Sequence, residues 1–170
     1  MGAKEQGADA TTNRWLTIPR ALCFVCHGDD VLLMKRASHR RIFPNRYNGV
    51  GGHIERDEDP LTAIVREVKE ETGLDVTDIK LCGVHNIDAG AETGIIMFVF
   101  RAQARSRDFV DPGEEGTLHW IAQDSVLTLD LVEDLPLILP HVLGMQDDDA
   151  PYFAHVGYDE TDTIQFNIYR

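Results

Sequence analysis

Three glutamates lie close together near the middle of the chain, at positions 67, 70 and 71. On a helix these positions are separated by three and four residues, so the three carboxylates share one face. Like charges on one face destabilise a helix, and bound cations would offset that repulsion. Hard divalent cations such as Mg²⁺ prefer carboxylate oxygens. Glu67, Glu70 and Glu71 therefore predict a divalent-metal site, against the alternative of a solvated acidic surface helix.

A helix over about residues 60–72 is predicted to carry these acids. Asp59 can cap its first turn, Pro60 suits the first helical position, and Gly73 is a natural stop. The side that packs on a sheet is predicted from apolar residues at helical spacing, namely Leu61, Ile64, Val65 and Val68. Such a helix can bury one side while it presents acids to a cleft.

Two glycines, Gly51 and Gly52, precede this helix. Glycine lets a backbone approach a ligand closely, or adopt positive φ without steric cost. Beside the acids, the pair predicts a loop whose backbone carbonyl can reach the same metal. Arg66 immediately precedes Glu67, and it can pair with Glu58 across the loop that leads into the helix.

The spacing of these residues resembles the signature of a known family. The pattern G-x5-E-x7-R-E-U-x-E-E-x-G-U, in which U is a bulky aliphatic residue, is the Nudix box, and residues 52–74 fit it throughout. The matching residues are Gly52, Glu58, Arg66, Glu67, Val68, Glu70, Glu71, Gly73 and Leu74. The resemblance covers roughly residues 18–145. It implies a hydrolase that uses Mg²⁺ or Mn²⁺ to cut a diphosphate linkage in a nucleoside diphosphate derivative.

The resemblance also implies roles for single residues. Glu67, or an acid outside the box, would deprotonate the attacking water. Arg66 would orient Glu67, and Glu58 would act as an accessory acid. The implied metal ligands are Glu67, Glu70, Glu71 and the carbonyl of Gly51.

Two neighbouring segments look most similar to those of the oxidised-purine nucleoside triphosphatases, the 8-oxo-dGTP diphosphatases. Leu33–Arg36 matches their aliphatic-Met-Lys strand end, and Tyr47–Gly52 matches their aromatic-Asn-Gly segment. Glu115 matches a late acid that assists metal binding and catalysis in that group. The acids that recognise the base there fall near Glu133 and Asp134.

The leading interpretation is hydrolysis of a purine nucleoside triphosphate, such as an oxidised one, to the monophosphate and pyrophosphate. One alternative is hydrolysis of a nucleotide sugar, ADP-ribose or a dinucleotide at the same site. Another is a non-catalytic module that senses nucleotides. A binding-only descendant would be expected to lose acids of the box, and none is lost.

Five basic residues and no acid lie between residues 35 and 46 of an otherwise acidic chain. They predict a rim that contacts phosphate, against the alternative of a solvated loop. Asn48 could hydrogen-bond a purine edge or shape its own turn. Phe43 could stack on a base, although aromatic side chains more often pack in a core. The candidates for substrate binding are Lys35, Arg36, Asn48, Gly52 and Asp134.

The composition restricts the class of protein and of partner. A chain of 170 residues has the size of one domain. Its net charge of −13 predicts repulsion from nucleic acid polymers and acidic membranes, so a small nucleotide bridged by metal ions is the expected partner. No apolar run reaches the roughly 18 residues of a membrane span.

Three cysteines, Cys23, Cys26 and Cys82, lack the spacing of a zinc site. Cys23 and Cys26 are predicted to lie on opposite faces of one strand. Buried free thiols favour a reducing cytoplasm as the location. Residues 1–14 have no apolar core, so a flexible tail is expected there rather than a secretory signal.

The order of predicted elements is strands, a helix, more strands and a second helix. It predicts an α/β fold, a Nudix-like α/β/α sandwich in which helices flank a mixed sheet, as one domain over residues 15–170. The apolar run Ile95–Phe100 predicts a central strand covered on both faces. Leu131–Leu143 predicts a helix that two prolines shorten or break. Residues 152–169 are expected to add a hairpin or a dimer contact, in a monomer or homodimer.

Overall fold

The structure, a computed structural model, describes residues 3–9, 11–110 and 113–169. The strands in these ranges are β1 (Leu16–His27), β2 (Asp30–Arg36), β3 (Tyr47–Asn48), β4 (Val50–His53), β5 (Val76–Ile87), β6 (Thr93–Ala104), β7 (Gly116–Ala122), β8 (Tyr152–Tyr158) and β9 (Ile164–Tyr169). The α-helices in these ranges are α1 (Pro60–Thr72) and α2 (Leu135–Leu143). Short 3-10 helices occupy Ala3–Gln6, Gly113–Glu115 and Val126–Thr128. Residues 1, 2 and 10 of the predicted tail lie outside the described ranges.

The described strands form one mixed sheet in the order β3-β2-β1-β6-β5-β8-β9, with β4 beside β1 and β7 beside β2. Strand β1 runs parallel to β6, and β5 runs parallel to β8. The remaining neighbours are antiparallel, including the predicted hairpin of β8 and β9. Alternate residues of β1 enter two separate cores, one under each helix. The predicted mixed sheet flanked by helices is therefore confirmed.

Helix α1 begins and ends where local chemistry predicts. The Asp59 carboxylate accepts hydrogen bonds from the backbone N–H groups of Leu61 (2.8 Å) and Thr62 (3.0 Å). Gly73 closes the helix with φ of 72°, and its N–H donates to the carbonyl of Lys69. Both ends use donors and acceptors that a helix otherwise leaves unpaired. The predicted bounds of this helix are confirmed.

The buried side of α1 differs from the predicted stripe. Ala63, Ile64, Val68 and Thr72 are buried, whereas Leu61 and Val65 are 49% and 41% exposed. The reason lies in Glu67 and Glu71, which contact the backbone of β4 and so turn their side of the helix toward the sheet. At 100° per residue this rotation carries Leu61 and Val65 to the flank. The prediction that those two residues are buried is wrong.

Strand β6 lies between β1 and β5, so its predicted central position is confirmed. Its predicted burial on both faces holds for Val99 and Phe100 but not for residues 95–98, which are only half-buried. Ile95 and Met97 instead form part of a cavity wall. The gap in coverage leaves room for a ligand at this end of the strand.

Helix α2 is shorter than the predicted stretch Leu131–Leu143. Leu131 precedes it and forms an isolated β-bridge with Tyr47. Pro140 lies inside the helix, as expected for a helix with an interrupted hydrogen-bond ladder. Arg101 donates hydrogen bonds to carbonyls beyond that point, at Val142 (3.2 Å) and Met145 (2.8 Å), and so stabilises the last turn.

The three cysteines are free and buried, and Cys23 and Cys26 belong to opposite cores, as predicted. Among the described residues, no helix combines the length and the apolar character that crossing a bilayer requires.

Candidate active site

Arg66 links the acids of the site. Its guanidinium donates two hydrogen bonds to the Glu58 carboxylate, at 2.6 and 2.9 Å, which confirms the predicted pair. It also donates to Glu67 Oε1 (3.0 Å), to Glu70 Oε2 (3.1 Å) and to the carbonyl of His53 (3.1 Å). The hydrogen bond to Arg66 lowers the pKa of Glu58, and the bond to Glu58 is the main cause of the raised pKa of Arg66. Both partners are therefore charged, and they hold Glu67 from one side.

Gly52 supports Glu67 from the other side. A Cβ atom added at Gly52 would lie 2.5 Å from Glu67 Oε1 and 2.7 Å from its Cδ. Any side chain at Gly52 would therefore displace the Glu67 carboxylate, whose side chain is only 14% exposed. The requirement for glycine is steric, because the acid of α1 touches the backbone of β4.

Glu71 is half-buried. Burial raises the pKa of its carboxyl group to about 7, and the negative charges of Glu67 and Glu115 act in the same direction. The N–H of Gly51, which donates to Glu71 Oε2 at 3.1 Å, opposes the shift. A buried acid beside other acids is stabilised in its charged form by a cation. This environment fits a divalent metal ion.

The implied metal ligands are the carboxylates of Glu67, Glu70 and Glu71 and the backbone carbonyl of Gly51. These oxygen donors also suit a hard cation. However, the part of the chain that the structure describes contains no group of three or more His, Cys, Asp or Glu side chains already arranged to hold a metal ion. Glu67 and Glu70 turn toward Arg66 instead, and Glu71 turns toward the N–H of Gly51. Glu70 is the most exposed of the acids, with 60% of its side chain accessible.

Glu115 lies on the same side as these acids, since its charge raises the pKa of Glu71. It forms a salt bridge of 3.1 Å with Arg40, a residue of the predicted basic rim. Lys35 Nζ is 5.6 Å from the centre of the Tyr47 ring, and Lys35 lines a surface depression together with Arg36.

A cavity of about 300 Å³ adjoins the acids. Arg36 connects the two, because it lines the cavity while the charges of Glu71 and Glu115 act on it. Burial lowers the pKa of Arg36, with the charge of Arg40 as the next cause. Its Nε donates to the carbonyl of Ile42 at 2.9 Å, which fixes the side chain in place.

Three sequence candidates for substrate binding share this cavity, namely Arg36, Asn48 and Asp134. Asn48 Oδ1 accepts a hydrogen bond of 2.8 Å from the N–H of Gly49, so the turn-shaping alternative is observed, and the side chain still faces the cavity. Burial raises the pKa of Asp134, and its buried Oδ1 has no hydrogen-bond partner among the residues that the structure describes. Phe43 lines the cavity as well.

Arg20 was not among the sequence candidates. It lies at the start of the buried part of β1, opposite His53 of β4, and it lines the same cavity as Asp134. Its Nε is buried, and no hydrogen-bond partner for it lies within the described ranges of the chain. The signal available in the sequence was a charged residue at the head of the apolar run Ala21–Cys26, but pairing with β4 could not be read from it.

Comparisons with known proteins show the family to which the chain is similar. The NUDIX domain family matches residues 16–142. The nucleoside triphosphatase NudI of Enterobacter sp. (strain 638) is 32% identical over 112 residues, covering 60% of this chain and 79% of that protein. The m7GpppN-mRNA hydrolase NUDT17 of Danio rerio is 39% identical over 72 residues, covering 42% of this chain and 24% of that protein.

The chain spans about a quarter of the length of the NUDT17 and NudC relatives that it matches. Among solved structures, the MutT protein of Bacillus halodurans has the same fold, with a TM-score of 0.75 and 24% identity, covering 89% of this chain and 97% of that one. The family match extends from β1 to the last turn of α2 and includes every acid of the site. The chain therefore belongs to the Nudix family.

Proposed function

We propose that this protein is a metal-dependent diphosphohydrolase that converts a purine nucleoside triphosphate to the monophosphate and pyrophosphate. The observation that carries the proposal is the continuity of two sites. Glu67 and Glu71 meet the backbone of β4, and the charges of Glu71 and Glu115 act on Arg36, which lines a cavity large enough for a base. A nucleotide can thus place its phosphates beside the acids and its base in the cavity.

The proposed metal ligands are Glu67, Glu70, Glu71, the carbonyl of Gly51 and, in support, Glu115. When bound, Mg²⁺, or Mn²⁺ in its place, would supply positive charge against the diphosphate and Lewis acidity toward water. The buried, mutually repelling carboxylates of Glu67 and Glu71 are what such a cation stabilises.

Glu67 is the proposed base, with an acid outside the Nudix box as the alternative. Glu67 accepts a proton from the attacking water, whose oxygen then bonds to phosphorus. The bridging P–O bond opposite breaks, and pyrophosphate leaves. Arg66, held by Glu58, keeps the Glu67 carboxylate in position while this occurs. Lys35, Arg36 and the backbone of Gly52 are the proposed contacts to phosphate.

The finer proposal is an oxidised purine as the base, supported by the resemblance of Leu33–Arg36 and Tyr47–Gly52 to the 8-oxo-dGTP diphosphatases. Asn48 and Asp134 would then contact the base. The similarity to NudI, a nucleoside triphosphatase by name, supports a triphosphate substrate. The local similarity to NUDT17, a hydrolase of the m7GpppN cap by name, favours a dinucleotide linkage as the second candidate.

A substrate panel tests the proposal. Release of pyrophosphate or phosphate is measured with Mg²⁺ for oxidised and unmodified nucleoside triphosphates, cap dinucleotides, ADP-ribose and nucleotide sugars. Triphosphates are expected to give the highest kcat/KM. No turnover of any member would contradict the enzyme proposal and favour a nucleotide sensor, while preferred turnover of a dinucleotide would establish the second candidate.

A pair of variants assigns the reaction to this site. Glu70→Gln keeps the size of the side chain and removes its charge, so metal-dependent turnover should be abolished while the fold persists. Glu92→Gln, an exposed acid just before β6, is the matched control and should have wild-type activity. Unchanged activity in Glu70→Gln would remove Glu70 from the ligand set.

A further inference from the structure

Two oppositely charged side chains face the same cavity, and each has a buried atom without a partner. Arg20 Nε and Asp134 Oδ1 are both shielded from solvent, and neither forms a hydrogen bond within the described residues. A buried polar atom without a partner costs roughly 1–3 kcal/mol. A ligand in the cavity can complete these hydrogen bonds, so the cavity suits a ligand that both accepts and donates.

The remaining wall of the cavity restricts the shape of that ligand. Leu22, Ile87 and Met97 supply apolar surface from three strands, and Phe43 supplies an aromatic ring. A flat ring with polar edges satisfies both the apolar surface and the unpartnered atoms. A nucleobase is such a ring, and a free phosphate is not, because the Asp134 carboxylate would repel it.

Guanine and adenine differ in the hydrogen-bond donors and acceptors on the edges of their rings. Guanine presents the O6 acceptor beside its N1–H and amino donors, so an arginine can donate to O6 while a carboxylate accepts from N1–H. Adenine presents an amino group where guanine has O6, and an acceptor where guanine has N1–H. With adenine, the donor Arg20 would face the donor amino group, and the acceptor Asp134 would face the acceptor N1, so neither could form a hydrogen bond to the base.

We propose that Arg20 is a specificity-determining residue which, together with Asp134, selects 6-oxopurine nucleotides of the guanine type over adenine nucleotides. This inference rests on the proposed function for its substrate class and adds the base that the site reads. Arg36, at the end of the cavity beside Glu71, contacts the phosphates and leaves Arg20 for the base.

Binding of nucleoside monophosphates tests the inference without any need for turnover. Isothermal titration calorimetry with GMP, IMP and AMP should give Kd values about 5- to 150-fold lower for GMP and IMP than for AMP, the discrimination of a good arginine–guanine contact. Arg20→Gln should narrow the gap between the Kd values of GMP and AMP, with the contact of Asp134 to the base left as the remaining source of discrimination. Arg105→Gln, an exposed arginine after β6, is the matched control and should keep the preference.

A change in the ligand tests the same contact in the wild-type protein, in case Arg20→Gln does not fold. In 6-thio-GMP a sulfur atom, a weaker acceptor, replaces O6, so its Kd should rise toward that of AMP. In Arg20→Gln the same replacement should have little further effect, because the two losses concern one hydrogen bond.

Several results would overturn the inference. Equal binding of GMP and AMP by the wild-type protein, no binding of either, or an undiminished preference in Arg20→Gln would each do so. A uniform loss of affinity for all three monophosphates in Arg20→Gln would assign Arg20 to the phosphate instead. If triphosphates are hydrolysed with no preference for the base, the inference fails while the proposed function stands. If GMP binds through Arg20 but no nucleotide is hydrolysed, the proposed function fails while the inference about the base stands.

Discussion

The two glycines of β4 are adjacent, yet the structure predicts opposite consequences for their replacement by alanine. At Gly51, a Cβ atom would lie 2.2 Å from the carbonyl oxygen of Ala21 and 3.0 Å from Leu22 Cα, which are backbone atoms of β1. At Gly52, the three atoms nearest to the Cβ all belong to the carboxylate of Glu67, the far end of a flexible side chain. Gly51 thus allows β4 to pack closely against β1, and Gly52 leaves room for the Glu67 carboxylate.

The magnitudes follow from these contacts. Forcing a methyl group into a close-packed site costs about 1–3 kcal/mol, and holding a non-glycine residue in the φ of 150° found at Gly51 costs about 1–3 kcal/mol more. Gly51→Ala should therefore lose several kcal/mol of the roughly 5–15 kcal/mol that stabilise a typical domain. Gly52→Ala should lose about 1 kcal/mol, because Glu67 can move aside. A shift of about 1 Å in a positioned carboxylate can reduce activity about 10²-fold.

Urea denaturation gives the free energies of unfolding, and kcat/KM with Mg²⁺ and the best triphosphate gives the activities. Gly90→Ala is the matched control for backbone strain, because its φ is 73° and an added Cβ meets no atom within 4 Å. It should show the cost of positive φ alone, with wild-type activity. Wild-type activity in Gly52→Ala would refute the role of Glu67, and wild-type stability in Gly51→Ala would refute the steric argument.

Three further predictions concern other groups. Because the pKa of Glu71 is about 7, its carboxyl group must release a proton before it can bind a metal. The affinity for Mg²⁺ should therefore fall steeply as the pH drops below 7. Calorimetry at several pH values measures this affinity, and a constant affinity would contradict the prediction. Burial, with a smaller effect of His141, lowers the pKa of His85 to about 4. Unfolded histidine binds its proton near pH 6.5, so the free energy of unfolding should fall by up to roughly 3 kcal/mol between pH 6.5 and 4. Urea titrations should show a flatter profile for His85→Gln, and an identical profile would exclude His85 as the cause. Thr72→Val removes the hydroxyl that accepts from the N–H of Leu74 at 3.1 Å, so stability should fall by about 1–3 kcal/mol, whereas Thr72→Ser should retain that bond.

Local chemistry explains why part of the structure could be predicted. The ends of α1 depend on Asp59, Pro60 and Gly73, which act within one turn of the helix, and its predicted bounds are the observed ones. The strands depend on runs of β-forming residues, so a hairpin was expected within residues 152–169 and is observed as β8 and β9. The pair of Arg66 and Glu58 depends on a short loop between them.

Which side of α1 is buried could not be predicted with the same accuracy. Apolar periodicity placed Leu61 and Val65 in the core, because a pattern of apolar residues gives no weight to acids that also face the sheet. In the folded chain Glu67 and Glu71 contact β4, and this contact rotates the helix. The functional residues thus altered the packing that the apolar pattern indicated.

By itself, the sequence determined the family pattern, the acids of α1 and the ends of that helix, because caps and helical spacing act between near neighbours. Only the tertiary structure decided which distant residues share a site. Arg20 comes from β1, Arg36 from β2 and Asp134 from the start of α2, and they meet at one cavity. Their proximity depends on strand pairing and on the layers of the sandwich, which are long-range contacts with no local signal. Burial then left Arg20 and Asp134 with unpartnered atoms, a property that exists only in the folded chain.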